Sequence, residues 1–186
     1  ISYTICFAQL LIYQNKYPEA LDLLEAARQQ NNDNLSLLYL LIKTCRGLRD
    51  KTKERILIIE FLKLNNYDYE IRLSFERLVF SNCQFTEEEY LEIETLFKKL
   101  IFENNRNDDK IILIAVYKKW FQKKFHLLLK QNRAKPNHFV FTLQLLTNAK
   151  ELAKKNNELE QGFRKLEDIE KDALQTYRKF IRRFSS

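Results

Sequence analysis

The sparing use of glycine and proline limits what this chain can fold into more than any other feature of its sequence. The 186 residues contain two Gly and two Pro. Tight turns between β-strands depend on Gly, Pro and Asn-Gly or Asp-Gly pairs, so this chain has little of the chemistry that hairpins require. Apolar residues instead recur at helical spacing along most of the chain. The sequence therefore predicts an all-α protein.

The chain is rich in side chains that build a buried core. Hydrophobic residues make up 45% of the sequence and include 14 Phe and 9 Tyr. A chain of this length can bury a sizeable apolar interior, and we predict a single domain over residues 1–186. No run of about 18 apolar residues occurs, so no membrane-spanning helix is predicted. The sequence starts at Ile1 and has no Met, which we interpret as a piece of a longer protein.

Three cysteines bear on the compartment and on metal binding. Cys6, Cys45 and Cys83 are far apart, and each lies in an apolar helical pattern. This is typical of buried free thiols and favours a cytoplasmic location or another reducing compartment. There is no CxxC motif and no Cys/His cluster, so we predict no metal site and no cofactor.

The residue types that carry catalysis are scarce and scattered. The two histidines, His126 and His138, stand alone in Lys-rich or loop settings. The acidic run Glu87–Glu89 is better explained by helix capping than by acid/base chemistry. No Gly-rich phosphate loop, nucleophile elbow or HExxH motif is present. We therefore predict that these residues do not form an enzyme.

The segment 1–34 carries the most specific pattern in the chain. Small and large apolar residues recur at helical spacing on either side of a turn at Asn15–Lys16. The positions concerned are Phe7, Ala8, Leu11, Tyr17, Ala20, Leu24 and Ala27. All of them resemble the tetratricopeptide repeat, a helix–turn–helix unit of about 34 residues, whereas Thr4 and Asn32 depart from its usual aromatic and Pro. Ala8 and Ala20 suit a helix crossing, because larger side chains would hold the helices apart.

Pairs of Asn punctuate the chain and indicate where helical hairpins meet, since Asn favours helix ends and turns. They are Asn31–Asn32, Asn65–Asn66, Asn104–Asn105 and Asn156–Asn157, and the first two pairs are separated by the length of one such repeat. We predict units of about 1–33, 34–67, 68–106 and 107–156, closed by a capping helix over 157–186. In the second unit Glu54 or Arg55 replaces the expected Ala, so we expect a looser turn there.

Local signals also mark helix starts in the later units. Thr86 and Glu89 have the spacing of a capping box. Asp108 or Asp109 is the expected N-cap of the following long helix. Asn157 is the expected N-cap of the last helix.

The resemblance implies a fold and a kind of function. It implies a right-handed α-α superhelix of antiparallel helical hairpins, a TPR-like solenoid whose concave face is lined by the first helix of each hairpin. It further implies a non-catalytic scaffold that binds a partner protein or peptide, often as the sensor or scaffold part of a larger signalling or defence NTPase-like protein. The partner-binding residues predicted in this register are Gln9, Tyr13, Tyr39, Lys43, Arg46 and Arg72. Tyr and Arg are frequent binding hot spots.

The uneven charge leaves a second function open. Residues 1–108 carry 14 basic and 17 acidic side chains, whereas residues 109–186 carry 18 basic and 8 acidic ones. A basic patch could bind nucleic acid, and its candidate residues are Lys119, Lys123, Lys130, Arg182 and Arg183. Trp120 and Phe121 continue the apolar pattern, so we expect them in the core and not stacked on bases. Further alternatives for the partner are other domains of the same larger protein and self-association through the first helix.

Overall fold

Nine α-helices and no β-strand make up the part of the chain that the computed structural model describes, residues 1–81, 83–104, 107–130, 136–154 and 159–184. The helices are α1 (Ser2–Tyr13), α2 (Tyr17–Arg28), α3 (Leu35–Gly47), α4 (Lys51–Leu64), α5 (Tyr69–Phe80), α6 (Glu87–Asn104), α7 (Asn107–Lys130), α8 (Pro136–Lys154) and α9 (Glu160–Phe184). The all-α prediction is confirmed. None of the helices in these ranges is long and apolar enough to cross a membrane.

The helices fall into two compact units. Unit 1 is Ile1–Cys83 and contains α1 to α5, and unit 2 is Gln84–Ser186 and contains α6 to α9. Within each unit every helix packs against the next one in the chain, and in unit 1 α1 also packs against α3. The division into four repeats and a capping helix stays a prediction.

Two hairpins of unit 1 share one turn geometry, first at Asn15 and again at Arg49. These residues adopt positive φ angles of 60° and 59°, directly after the C-caps of α1 and α3. The amide of Asn15 donates to the Ile12 carbonyl, and that of Lys16 to the Leu11 carbonyl. Arg49 and Asp50 donate to Arg46 and Cys45 in the same way. Both helices therefore end in a Schellman motif.

The second turn has the same geometry as the first, so the expectation of a looser turn there is wrong. The position equivalent to Ala20 is Glu54, and the structure keeps the turn tight by giving that carboxylate a partner. Arg46 Nε donates to Glu54 Oε1 at 2.7 Å. The larger side chain is thus directed into an ion pair across the hairpin instead of holding the helices apart. Ala20 and Ala8 are fully buried, as predicted.

Arg49→Gly is expected to stabilise unit 1 by about 1 kcal/mol. Arg49 carries a Cβ atom in the left-handed region, which costs an L-residue roughly 1–2 kcal/mol, and Gly adopts that conformation freely. Urea unfolding followed by circular dichroism measures the change. Arg77→Gly, at an exposed position in the last turn of α5, is the matched control and should destabilise instead, because Gly is a poor helix former. Equal destabilisation by both variants would contradict the strain at Arg49.

Side chains at the helix N-termini account for several of the boundaries. Asn34, Asp50 and Asp68 accept hydrogen bonds from backbone amides three residues ahead, at 3.1, 3.0 and 2.9 Å. The predicted capping box in unit 2 is confirmed: Thr86 Oγ1 accepts from the Glu89 amide, and Glu89 Oε2 accepts from the Thr86 amide. The expected cap at Asn157 lies outside the described residues.

The start of α7 corrects one predicted boundary. The helix begins at Asn107, so Asp108 and Asp109 lie in its first turn and neither is the N-cap. Acidic residues in a first turn still interact favourably with the helix dipole, which explains why the local pattern resembled a cap. Asp109 is fully buried.

The core of unit 2 contains a run of stacked aromatic rings. Tyr90 lies parallel to Trp120, with ring centroids 5.2 Å apart and an interplanar angle of 4°. Phe139 on α8 stacks on Tyr177 of α9 at 3.7 Å. Trp120 and Phe121 are buried, at 4% and 2% exposure. Their predicted place in the core is confirmed.

The cysteines differ from the prediction that all three are buried. Cys45 is buried, Cys83 is partly exposed and Cys6 is exposed. Cys6 and Phe7 are exposed although α1 packs against both α2 and α3, whereas Ala8 and Leu11 of the same helix are buried. An apolar pattern predicts a face suited to burial, but the neighbours decide whether it is covered.

The stability of unit 1 is expected to fall as the pH rises from about 9 to 11. Burial raises the pKa of the Cys45 thiol from 9.0 to about 11, with Asp50 and Glu54 adding to the effect. In this range the unfolded thiol loses its proton while the folded one keeps it, so deprotonation favours unfolding. Urea unfolding at stepped pH values measures this, and Cys45→Ala should show a shallower decline than Cys6→Ala. Identical slopes for the two variants would contradict it.

Candidate functional site

A groove of about 350 Å³ in unit 1 collects residues from the first helices of successive hairpins. It is lined by Ile5 and Gln9 of α1, by Leu35, Ser36, Tyr39 and Leu40 of α3, by Phe61 and Asn65 at the end of α4, and by Asp68 and Glu70 at the start of α5. The floor is apolar where Leu40 and Phe61 are buried. The groove therefore combines an apolar floor with polar groups around it.

Tyr39 is held in a defined position at this groove. Its hydroxyl donates a hydrogen bond of 2.5 Å to Glu70 Oε2. Lys43, one helical turn further along α3, places its Nζ atom 4.5 Å from the centroid of the Tyr39 ring. The ring is thus fixed at its hydroxyl end by α5 and over its face by its own helix.

The charge that lines the groove is negative. Asp68 and Glu70 carry carboxylates, and no Lys, Arg or His is among the described lining residues. Asp68 Oδ1 accepts from the Ile71 amide at 2.9 Å and so caps α5. Such a site attracts a positively charged or hydrogen-bond-donating group.

The predicted partner-binding residues divide into two sets. Gln9 and Tyr39 line the groove, and Lys43 lies against Tyr39. Tyr13 is exposed on 86% of its surface but is not among the lining residues. All of these residues were predicted to bind a partner because of their positions on the helices. Helix position alone does not distinguish the wall of a groove from a neighbouring surface.

Arg46 and Arg72 connect parts of unit 1 instead of lining the groove. Arg46 Nη2 donates to Ser74 Oγ at 2.9 Å, in addition to its ion pair with Glu54. Arg72 Nη1 donates to the Asn66 carbonyl at 3.3 Å. Sequence reasoning missed Asp68 and Glu70, although an Asp at the start of a helix is a recognisable cap signal.

The candidate nucleic-acid residues have varied surroundings in unit 2. Lys123 Nζ donates to the Phe85 carbonyl and lies 5.6 Å from the centroid of the Tyr90 ring. Lys130 and Arg182 are exposed and Lys119 is partly exposed. Arg183 is part of α9, but its side chain is not among those described. Nucleic-acid binding by this set stays a prediction.

Described residues of unit 2 line further cavities, among them the following two. One of about 410 Å³ is lined by Glu87, Lys124, Leu127, Leu128, His138, Phe141 and Thr142. The other, of about 500 Å³, is lined by Lys98, Tyr117, Asn148, Glu151, Leu152 and Lys154. Burial and a 2.7 Å hydrogen bond to Glu94 raise the pKa of Tyr117 far above its ordinary value, so its hydroxyl stays protonated. The described residues contain no group of three or more His, Cys, Asp or Glu placed to hold a metal ion.

No family model, no curated protein sequence and no solved structure matches this chain. The fold and the groove define an all-α protein in which neighbouring helices pack, and this arrangement is compatible with a helical repeat. The recurrence of one turn geometry at Asn15 and Arg49 in unit 1 is the strongest structural sign of such a repeat.

Proposed function

We propose that the chain is a non-catalytic interaction module whose unit 1 binds an extended segment of a partner protein in the groove. In this proposal the helices form a TPR-like, right-handed superhelix of antiparallel hairpins. The observation that carries it is the groove itself: α1, α3 and α5 supply its walls, with Tyr39 fixed at its side. The larger protein to which such a module belongs would supply any chemistry.

The polar groups of the groove suit a peptide main chain. Gln9 and Asn65 carry amides and Ser36 carries a hydroxyl, and together these groups can both donate and accept hydrogen bonds. The buried floor at Leu40 and Phe61 suits an apolar side chain of the same segment. A fixed Tyr at the wall adds contact area at little entropic cost, because its ring is already ordered before binding.

The carboxylates give the groove a preference among peptides. Asp68 and Glu70 favour a segment with a Lys or Arg side chain, because no basic residue among the described lining residues neutralises them. A charge-assisted contact of this kind typically contributes more to specificity than to affinity. We therefore infer that the occupant is a peptide with at least one basic residue beside an apolar one.

Selection from a displayed random peptide library tests the proposal. The 186-residue chain should enrich peptides with Lys or Arg at one position, and a selected peptide should bind Glu70→Gln at least about tenfold more weakly than wild type. Glu19→Gln, an exposed Glu on α2 outside the groove, is the matched control and should bind normally. Selected peptides that bind both variants equally would contradict the site.

A titration with nucleic acid separates the alternative function. A labelled single-stranded oligonucleotide is titrated at two salt concentrations, since binding through phosphate contacts weakens steeply with salt. Under our proposal the oligonucleotide binds weakly and Lys130→Glu has no effect on peptide binding. Tight, salt-sensitive binding that Lys119→Glu and Lys130→Glu abolish would favour the basic half as the working surface.

A further inference from the structure

Tyr39 occupies one oxygen of a carboxylate that gives the groove its charge. Its hydroxyl donates to Glu70 Oε2 at 2.5 Å, and this bond joins α3 to the first turn of α5. A hydrogen bond to a charged acceptor is short and strong, so the charge on this oxygen is partly compensated before any ligand arrives. In the described part of the chain Glu70 Oε1 accepts no hydrogen bond and remains available to a ligand.

Asp68, the other carboxylate that lines the groove, is engaged in the same one-sided way. Its Oδ1 atom accepts from the Ile71 amide at 2.9 Å and caps α5. Among the described contacts this bond leaves Oδ2 as the oxygen that a ligand can use. The groove therefore offers a ligand one oxygen from each of two carboxylates, and neither carboxylate offers both of its oxygens.

The ring of Tyr39 is also engaged, by Lys43 of the same helix. Lys43 Nζ lies over the ring, 4.5 Å from its centroid. A cation over an aromatic face is attracted by the negative quadrupole of the ring, and a second cation on that face would be repelled by the first. A basic ligand therefore gains no cation–π contact on this face of Tyr39.

Arg and Lys differ in the contacts by which a protein recognises them. The guanidinium of Arg is a planar fork that binds both oxygens of one carboxylate, and it stacks on aromatic faces. The ammonium of Lys is a compact charge with three donors that point in different directions. The contacts of Tyr39 and Lys43 already use one oxygen and one ring face that Arg would need, whereas single oxygens on two carboxylates suit Lys.

We propose that the basic residue of the bound segment is Lys, and that Tyr39 and Lys43 select it over Arg. This inference rests on the proposed function, because it concerns the same groove. The ammonium of the bound Lys contacts the two carboxylates, and its four-carbon stem lies along the apolar floor at Leu40 and Phe61. Tyr39 is thus a specificity-determining residue, because its hydroxyl denies Arg the second oxygen of Glu70.

Paired peptides measure this selectivity. A peptide from the library selection is made in two versions that differ only in Lys or Arg at the basic position, and each is titrated against the 186-residue chain. Wild type should bind the Lys version about fivefold more tightly, which is the upper range for an exposed charge contact. Tyr39→Phe keeps the ring and removes the hydroxyl, so the Arg version should gain affinity and the ratio should fall to about one.

Two further variants separate selection from general effects of charge and structure. Tyr13→Phe removes the hydroxyl of an exposed Tyr that does not line the groove, and its ratio should equal that of wild type. Lys43→Gln removes a positive charge and should strengthen both versions, but the Arg version should gain more because the ring face becomes available. The ratio is decisive, because a merely structural loss would weaken both versions alike.

The outcomes distinguish this inference from the proposed function. If no selected peptide loses affinity with Glu70→Gln, the groove is not the binding site and both are wrong. A peptide that depends on Glu70 but binds equally well with Lys or Arg, in wild type and in Tyr39→Phe, would overturn the selection and leave the groove as a peptide site. A preference of wild type for the Arg version would overturn the selection as well.

Discussion

Replacing Trp120 with Ala is expected to destabilise unit 2 by about 3–5 kcal/mol, the usual cost of truncating a buried Trp. Trp120 is 4% exposed, and its ring lies parallel to Tyr90. Its Nε1 atom lies 3.0 Å from both carboxylate oxygens of Glu87. The substitution therefore removes a stacking partner, opens a cavity and takes a hydrogen-bond donor from a partly exposed carboxylate.

The surroundings of the indole make a graded series of variants informative. Lys124 pairs with Glu87 at 3.0 Å and places its Nζ atom 5.1 Å from the Trp120 ring centroid. Trp120→Phe keeps a ring against Tyr90 but loses the indole N–H, so we expect about 1–2 kcal/mol of destabilisation, well below that of the Ala variant.

Urea unfolding followed by far-UV circular dichroism measures wild type and both variants on one scale. The chain has a single Trp, so its fluorescence in wild type reports unit 2 alone. We expect the fluorescence midpoint to coincide with the transition that shifts in Trp120→Ala. A loss below about 1 kcal/mol in the Ala variant would show that the site relaxes around the cavity.

The second large effect is expected between Tyr17 and Gly47. A Cβ atom at Gly47 would lie 2.3–2.5 Å from three carbons of the Tyr17 ring, closer than atoms in contact can come. The Tyr17 hydroxyl donates to Asn15 Oδ1 at 2.9 Å, which ties the ring to the turn. Gly at the end of α3 thus lets the aromatic ring at the start of α2 pack against the backbone.

The effect of Gly47→Ala should change sign with the residue at position 17. In wild type it should destabilise unit 1 by about 1–3 kcal/mol, because the added methyl group overpacks the contact. With Tyr17→Ala present, the same change should stabilise by up to about 1 kcal/mol, because Ala is the better helix former. The coupling free energy is therefore about 1–4 kcal/mol.

A double-mutant cycle in urea measures this coupling from four unfolding curves. Ala26→Gly in α2 serves as a control for changes in helix propensity, since Ala26 is exposed and is not among the atoms nearest to the Cβ position of Gly47. Stabilisation by Gly47→Ala in both backgrounds would mean that the Tyr17 ring moves aside at no cost.

Much of the fold could be predicted because the signals are local. The scarcity of Gly and Pro excluded β-hairpins. Apolar stripes at helical spacing identified the buried residues of the later helices, among them Phe97, Leu146 and Ala149. The capping box at Thr86 and Glu89 depends on two residues three apart. Such features need only the geometry of one helix, which neighbouring sequence specifies.

The candidate site was predicted only in part, because its residues depend on distant partners. Tyr39 lies 31 residues from Glu70, to which it donates, and Arg46 lies 28 residues from Ser74. Helix position placed all of the first-helix polar residues on a binding wall. Only the tertiary structure shows that Arg46 bonds to Glu54 and Ser74 within unit 1, and that Glu70 lines the groove.

The sequence by itself determined the helices, the capping box of α6 and the faces that are suited to burial, because these depend on residues close together in one helix. The tertiary structure decided which of those faces are covered. Phe7 and Leu41 occupy equivalent positions, yet only Leu41 is buried. The physical reason is that α3 has a preceding hairpin to pack against, whereas no described helix lies on the corresponding side of α1.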